Sequence, residues 1–220
     1  MKVAQSGQTL ADDIDRVESA RAVLGADGRL RVDANGGWSL DQAERAIRML
    51  APFDLEYVEQ PCASIRELSE LRARIAYLGI PVAADESVRK ANDPLAVARA
   101  GAADILVIKA QPLGGISTAL SIVADAGLPV VVSSALDTSV GLAMGAYLAA
   151  AIPVLDFDCG LGTAALLAAD VTHNALLPVD GEIPVRRVDV SDTLLDRFAA
   201  SPQRTAWWID RLTRCRHLIG

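Results

Sequence analysis

The sequence predicts an α/β protein, most of a (β/α) TIM-type barrel, on three observations. Short apolar runs rich in Val, Ile and Leu recur along the chain. Their near-continuous hydrophobicity marks strands buried on both faces, as in a parallel sheet. Capped amphipathic segments lie between the runs, so strand and helix alternate. A polar residue also closes successive runs at a steady period. Asp33 to Glu59 is 26 residues, Glu59 to Asp85 is 26, Asp85 to Lys109 is 24 and Lys109 to Asp137 is 28. In a βα barrel the C-terminal ends of the strands converge on one face, where sites are built. A dinucleotide-binding sheet is the other parallel arrangement, but no GxGxxG follows a first strand.

In chain order, the strands are expected at Leu30–Ala34, Leu55–Gln60, Pro81–Asp85, Ile105–Ala110, Val130–Ser134 and Leu155–Cys159. Each is too short for a helix. Ser39 is a suitable N-cap for the helix LDQAERAIRML, whose apolar positions Leu40, Ala43, Ile47 and Leu50 share a face. Ser64 leads a second helix closed by Gly79. Asp93-Pro94 opens a third, with Pro in the first turn. Gly115 precedes a fourth, closed by Gly127. The stretch Gly141 to Leu155, broken by Gly145 and Pro153, reads as a buried helix feeding a buried strand. Residues 1–190 are expected to form the partial barrel, and 191–220 a helical extension packed on it.

Composition narrows the function. Half the residues are apolar (51%), but no apolar run reaches the roughly 18 residues of a membrane span. The start, MKVAQSGQTLADD, lacks the apolar region of a signal peptide. The net charge of −7 argues against nucleic acid, which needs clustered Lys and Arg. Arg211, Arg214 and Arg216 read as a solvated helix face, and Trp207-Trp208 as packing on the barrel's outside. The three cysteines form no CxxC pair, which suggests a reducing compartment. The expectation is a cytoplasmic protein that engages neither nucleic acid nor membrane.

One Asp after one strand is ordinarily a turn or cap residue. Asp33, Glu59 and Asp85 fall in register with Lys109, one per unit. Three acids at one mouth repel each other unless a cation joins them. Three carboxylates suit Mg²⁺, which prefers oxygen ligands. Zn²⁺ fits poorly, because His173 and His217 lie outside the pattern.

The stretches Val32-Asp33-Ala34-Asn35, Val58-Glu59-Gln60-Pro61, Ala84-Asp85-Glu86-Ser87 and Ile108-Lys109, with Gly114-Gly115 beyond, resemble the enolase superfamily in its muconate-lactonising-type branch. Within it, Gly7-Gln8-Thr9, DANGGWSLDQA, EQPC, SSALDTSVG and DCGLGTAALLAADV are most similar to the o-succinylbenzoate synthase family of the actinobacterial kind. The resemblance covers nearly the whole chain. It implies a modified (β/α)7β barrel, with Mg²⁺ held by Asp33, Glu59 and Asp85. It implies that Lys2 is the second lysine of a K-x-K motif and that Lys109 is the lysine opposite. Removal of a proton α to a carboxylate is the shared step, and a lysine base acting with Mg²⁺ is the established pattern.

The implied reaction is dehydration of 2-succinyl-6-hydroxy-2,4-cyclohexadiene-1-carboxylate to 2-succinylbenzoate, in menaquinone synthesis. Asn35, Ser133, Ser134, Asp137, Gly160 and Gly162 are the candidate substrate contacts. Against the family pattern, Met1 stands in the middle of K-x-K, so its first lysine has no counterpart. The chain is therefore expected to begin at about the second barrel strand and to lack the N-terminal capping domain. Racemisation or epimerisation of N-acyl amino acids or dipeptides suits two opposed lysines equally well, and lactonisation of a muconate-like acid is a third possibility. A different class of reading is an inactive remnant, or a chain that only binds the cation.

Overall fold

The computed structural model describes residues 1–90 and 92–219. Five strands, β1 (Leu30–Asp33), β2 (Leu55–Glu59), β3 (Val82–Ala84), β4 (Ile105–Ile108) and β5 (Val130–Val132), form one sheet in the order β1-β2-β3-β4-β5. Every pairing is parallel, with Asp33 opposite Glu59 and Glu59 opposite Ala83. Single bridges extend the sheet at each edge, Lys2 to Asp33 and Ser133 to Gly160. The result is a curled parallel sheet, a partial barrel rather than a closed ring of strands.

Helices cover the outer face. They are α1 (Leu10–Leu24), α2 (Leu40–Leu50), α3 (Ile65–Ile75), α4 (Asp93–Arg99), α5 (Ile116–Ala126) and α6 (Ser139–Ala151). Reciprocal capping boxes start the first three: Thr9 with Asp12, Ser39 with Gln42 and Ser64 with Glu67. Each satisfies two backbone donors that the first turn leaves unpaired. Gly127 closes α5 in the left-handed conformation that favours glycine. The cap Thr9-x-x-Asp12 was the available signal for α1, which the apolar runs did not reveal.

Alternation along the strands makes two cores. Val32, Val58, Val82, Leu106 and Val130 face the helices, where they meet Ile47, Leu68, Val97 and Leu142. Tyr57, Ala83, Ile105, Val107 and Val131 face inward, with Phe157 packed against them. Gly145 on α6 belongs to the outer core: a Cβ there would lie 2.7 Å from Cδ2 of the buried Leu161. Gly145→Ala is therefore expected to destabilise the chain by about 1–3 kcal/mol through overpacking, as measured by urea unfolding.

Two expectations need correction. Leu155–Cys159 is not a strand; sheet pairing in this region is confined to Gly160. Side chains hold the segment instead. Phe157 meets Tyr57 edge-to-face at 5.8 Å, and Arg31 Nη1 donates to the Asp158 carbonyl at 2.8 Å. The expected packing of 191–220 on the barrel is, among the described residues, confined to the start of the segment, where the Ser191 amide donates to the Val171 carbonyl at 2.9 Å. In α7 (Asp192–Arg197) and α8 (Pro202–Ile219), every side chain from Leu195 to Leu218 is exposed. Trp207 and Trp208 pack on each other edge-to-face, and Arg204 and Arg211 lie over their rings. The four arginines of α8 keep its rim hydrated, so helical propensity and local contacts hold it without a buried face.

Candidate active site

The same two-residue period sends the strand-end side chains inward. Arg31 and Asp33 enter from β1, and Tyr57 and Glu59 from β2. Asp85 follows β3, Lys109 follows β4 and Ser133 follows β5. Together they line a cavity of about 610 Å³. The acids thus stand on three neighbouring strands, with a lysine at each end of the row. Lys2 Nζ pairs with Asp33 Oδ2, and Lys109 Nζ with Asp85 Oδ1. The two pairs differ in setting: the Lys2 side chain is 55% exposed, that of Lys109 only 12%.

Glu59 is the strained member. Burial first, then the neighbouring charges of Asp33 and Asp85, push its carboxyl up to about 8, against the opposing pull of Lys2 and Lys109. Surplus negative charge in a poorly hydrated place is the cause. The donor set accordingly fits a divalent cation: three carboxylates from adjacent strand ends, the middle one raised by its neighbours. The fit is one of chemistry rather than assembled geometry. Among the described residues, no three acidic, histidine or cysteine side chains are gathered closely enough to hold a metal as they stand. The two ammonium groups occupy oxygens of the outer acids, so a metal site forms only as those ion pairs open.

Local backbone chemistry aims Asp85. Gln60 is fully buried and in left-handed backbone (φ 38°). Its Oε1 accepts from the Asp85 and Ser87 amides at 2.9 and 3.2 Å, and its Nε2 donates to the Cys62 carbonyl and Ser87 Oγ, both at 2.8 Å. Every polar group of that side chain is satisfied, as burial demands. Cys62 beside it is no nucleophile: burial pushes its thiol up to about 12.

Of the expected substrate contacts, Asn35, Ser133, Ser134 and Gly160 line the cavity. A Cβ on Gly160 would fall 2.8 Å from Ser133 Oγ, so at this bridge any larger residue would have to turn the Ser133 hydroxyl aside. Asp137 and Gly162 are not among the lining residues. Asp137 turns back to accept from the Ala135 amide at 3.1 Å, as short acidic side chains do in turns, and Gly162 faces Pro178. Glu86, which beside Asp85 was expected to hydrogen-bond a lysine or orient a ligand, lines the cavity too, and Arg31, Tyr57, Arg89 and Thr163 line it unforeseen. Arg31 and Tyr57 were findable, being two residues before Asp33 and Glu59 and so on the same strand face.

Residues 1–188 match the family described as Enolase C-terminal domain-like. The chain is 54% identical over 216 residues to the o-succinylbenzoate synthase of Thermobifida fusca, covering 98% of this chain and 66% of that protein. It is 51% identical over 220 residues to that of Mycobacterium ulcerans, covering 100% and 65%. It thus spans just under two thirds of the length of these relatives. Among solved structures, the muconate lactonizing enzyme of Pseudomonas putida superposes with a TM-score of 0.81 at 25% identity, over 90% of this chain and 57% of that one. A dipeptide epimerase from Enterococcus faecalis gives 0.72 at 30% identity, over 80% and 51%. With its first 188 residues matched and its strand-end acids and lysines facing one cavity, the chain belongs to the Enolase C-terminal domain-like family.

Proposed function

We propose that the chain carries the catalytic barrel of an o-succinylbenzoate synthase. It converts 2-succinyl-6-hydroxy-2,4-cyclohexadiene-1-carboxylate to 2-succinylbenzoate and water, a step toward menaquinone in the cytoplasm. The observation that carries this reading is the row of three inward acids flanked at both ends by lysine ammonium groups. The 51–54% identity to named synthases supports the choice of substrate. No helix among the described residues is long and apolar enough to cross a membrane.

Asp33, Glu59 and Asp85 would hold Mg²⁺, which when bound supplies Lewis-acid stabilisation to a carboxylate substrate. Lys2 acts as the neutral amine: having given its ammonium proton to solvent, its nitrogen lone pair takes the proton α to that carboxylate, and the C–H electron pair moves into the enediolate. Lys109, at the far end of the acid row, faces the developing charge as an ammonium. Lys2 then returns its proton to the ring hydroxyl, the C–O bond breaks, and water leaves as the ring becomes aromatic. Ser133, Ser134 and Gly160 form the wall where the succinyl arm lies.

The test is turnover of the cyclohexadiene carboxylate by this chain, with Mg²⁺ and with EDTA. Activity that falls at least about 100-fold on metal removal is expected, since the metal contributes several kcal/mol. Equal activity in EDTA would sink the reading. One observation favours a second: an epimerase of dipeptides superposes on this barrel. Mg²⁺-dependent exchange of the α-proton of an N-acyl amino acid or dipeptide, without dehydratase turnover, would put epimerisation first.

A further inference from the structure

Asn35, expected to contact substrate or second-shell water, lines the cavity, and its Nδ2 already bonds two carboxylates. Its Nδ2 lies 3.3 Å from Asp33 Oδ2 and 3.2 Å from Glu86 Oε1, and its own amide donates to Asp33 Oδ1 at 2.8 Å. A primary amide has two N–H donors, and here each faces a carboxylate. Reversing the amide would set its oxygen against two acceptors, so this orientation is the only one that bonds. The turn that makes it possible is left-handed at Asn35 (φ 46°), a conformation asparagine tolerates better than most side chains.

Glu86 is fixed in turn by Arg89, whose Nη2 donates to the same Oε1 at 2.8 Å. Its other oxygen, Oε2, is buried and accepts no hydrogen bond among the described residues. The Glu86 side chain as a whole is 28% exposed, so the lone buried oxygen is a modest cost set against the bonds that Oε1 makes. The hydrogen-bond chain therefore runs Arg89–Glu86–Asn35–Asp33–Lys2, from the residue after Asp85 to the pair at the other end of the acid row.

We infer that Asn35 and Glu86 are a positioning pair: they hold the Asp33 carboxylate in the orientation from which it serves a divalent cation. Neither touches the reacting atoms. This rests on the metal reading above and adds to it the groups that aim one donor. Loss of such an outer hydrogen bond typically weakens a metal site 10–100-fold.

The experiment is Mn²⁺ binding followed by electron paramagnetic resonance of the free ion, on the whole chain, with melting curves alongside. Asn35→Ala and Glu86→Ala are each expected to raise the Mn²⁺ Kd by about 10–100-fold. The double variant is expected to be no worse than the weaker single one, because either change breaks the same link. Glu86→Gln keeps an oxygen for Asn35 and Arg89 without the charge. It should fold as the parent does and bind Mn²⁺ more tightly than Glu86→Ala, because the hydrogen bond to Asn35 is kept though its acceptor is neutral. Unchanged Kd values in both alanine variants, or losses that multiply in the double variant, would overturn the pair. A merely structural role would lower the melting temperature and leave Kd alone. If the parent chain shows no saturable Mn²⁺ site, the metal reading falls first, and this inference with it.

Discussion

Lys109→Ala is expected to lower dehydratase turnover by about 10²–10³-fold, the usual worth of one group aimed at charge that develops in the transition state. The same change is expected to weaken the fold. Lys109 and Asp85 are both nearly buried, with side chains 12% and 9% exposed. Removing one partner leaves the other charge without compensation, at a cost of up to about 3–5 kcal/mol. Asp85 would then face Glu59 with no cation beside it. A dead alanine variant therefore leaves two explanations open, and Lys109→Arg separates them. Arginine keeps the charge next to Asp85, so the melting temperature should stay near that of the parent. Its guanidinium is planar, fixed in its fork and does not give up a proton in proteins. If Lys109 works through a compact ammonium aimed at the substrate, the arginine variant folds but turns over at least about 100-fold more slowly. Arginine activity within tenfold of the parent would mean that positive charge alone is needed at position 109, not a compact ammonium aimed at the substrate.

The spacing of strand ends made the acid row legible before any geometry. Asp33, Glu59, Asp85 and Lys109 follow buried runs at near-equal intervals, and a parallel sheet with helical crossovers turns that period into a shared face. The capped helices were legible for the same kind of reason. Ser39 and Ser64 are local signals, and local hydrogen bonds decide where those helices begin. What stayed hidden was set by distant contacts. Leu155–Cys159 has the composition of a strand, yet Phe157 and the Asp158 carbonyl are held across the barrel by Tyr57 and Arg31, more than ninety residues earlier. Asn35 was legible as a polar residue of the mouth, but its Nδ2 contact with Glu86, 51 residues away, was not. Asp137 continues the period, and a bond within its own turn takes it out of the cavity. Nor does any local pattern reveal that Lys2 and Lys109 sit on the acids they were expected to flank.

Glu59→Gln should make the metal-free chain more stable while removing its metal affinity. The carboxyl of Glu59 is pushed up to about 8 in the folded chain, against an ordinary value of 4.5, chiefly by burial and then by Asp33 and Asp85. A folded-state value above the unfolded one means that the folded chain binds the proton more tightly. Its contribution to stability is then full below the unfolded value and is lost as pH rises toward 8. The metal-free parent should accordingly lose stability, and melt at a lower temperature, as pH rises from about 4.5 to 8. Glutamine has no proton to lose, so the variant should melt at a nearly constant temperature over the same range and above the parent at pH 8. Mg²⁺ should reverse the order: it stabilises the parent by binding its folded state and leaves the variant unmoved. Binding at pH 7 should also release protons, because the cation takes an ionised Glu59 from a site that holds it protonated. Melting curves at pH 5, 6, 7 and 8, with Mg²⁺ and with EDTA, check every part. A parent as stable at pH 8 as at pH 5 without metal would mean that Glu59 is better solvated than its burial between two acids implies. Charge repulsion among the three strand ends would then not be what prepares the site for a cation.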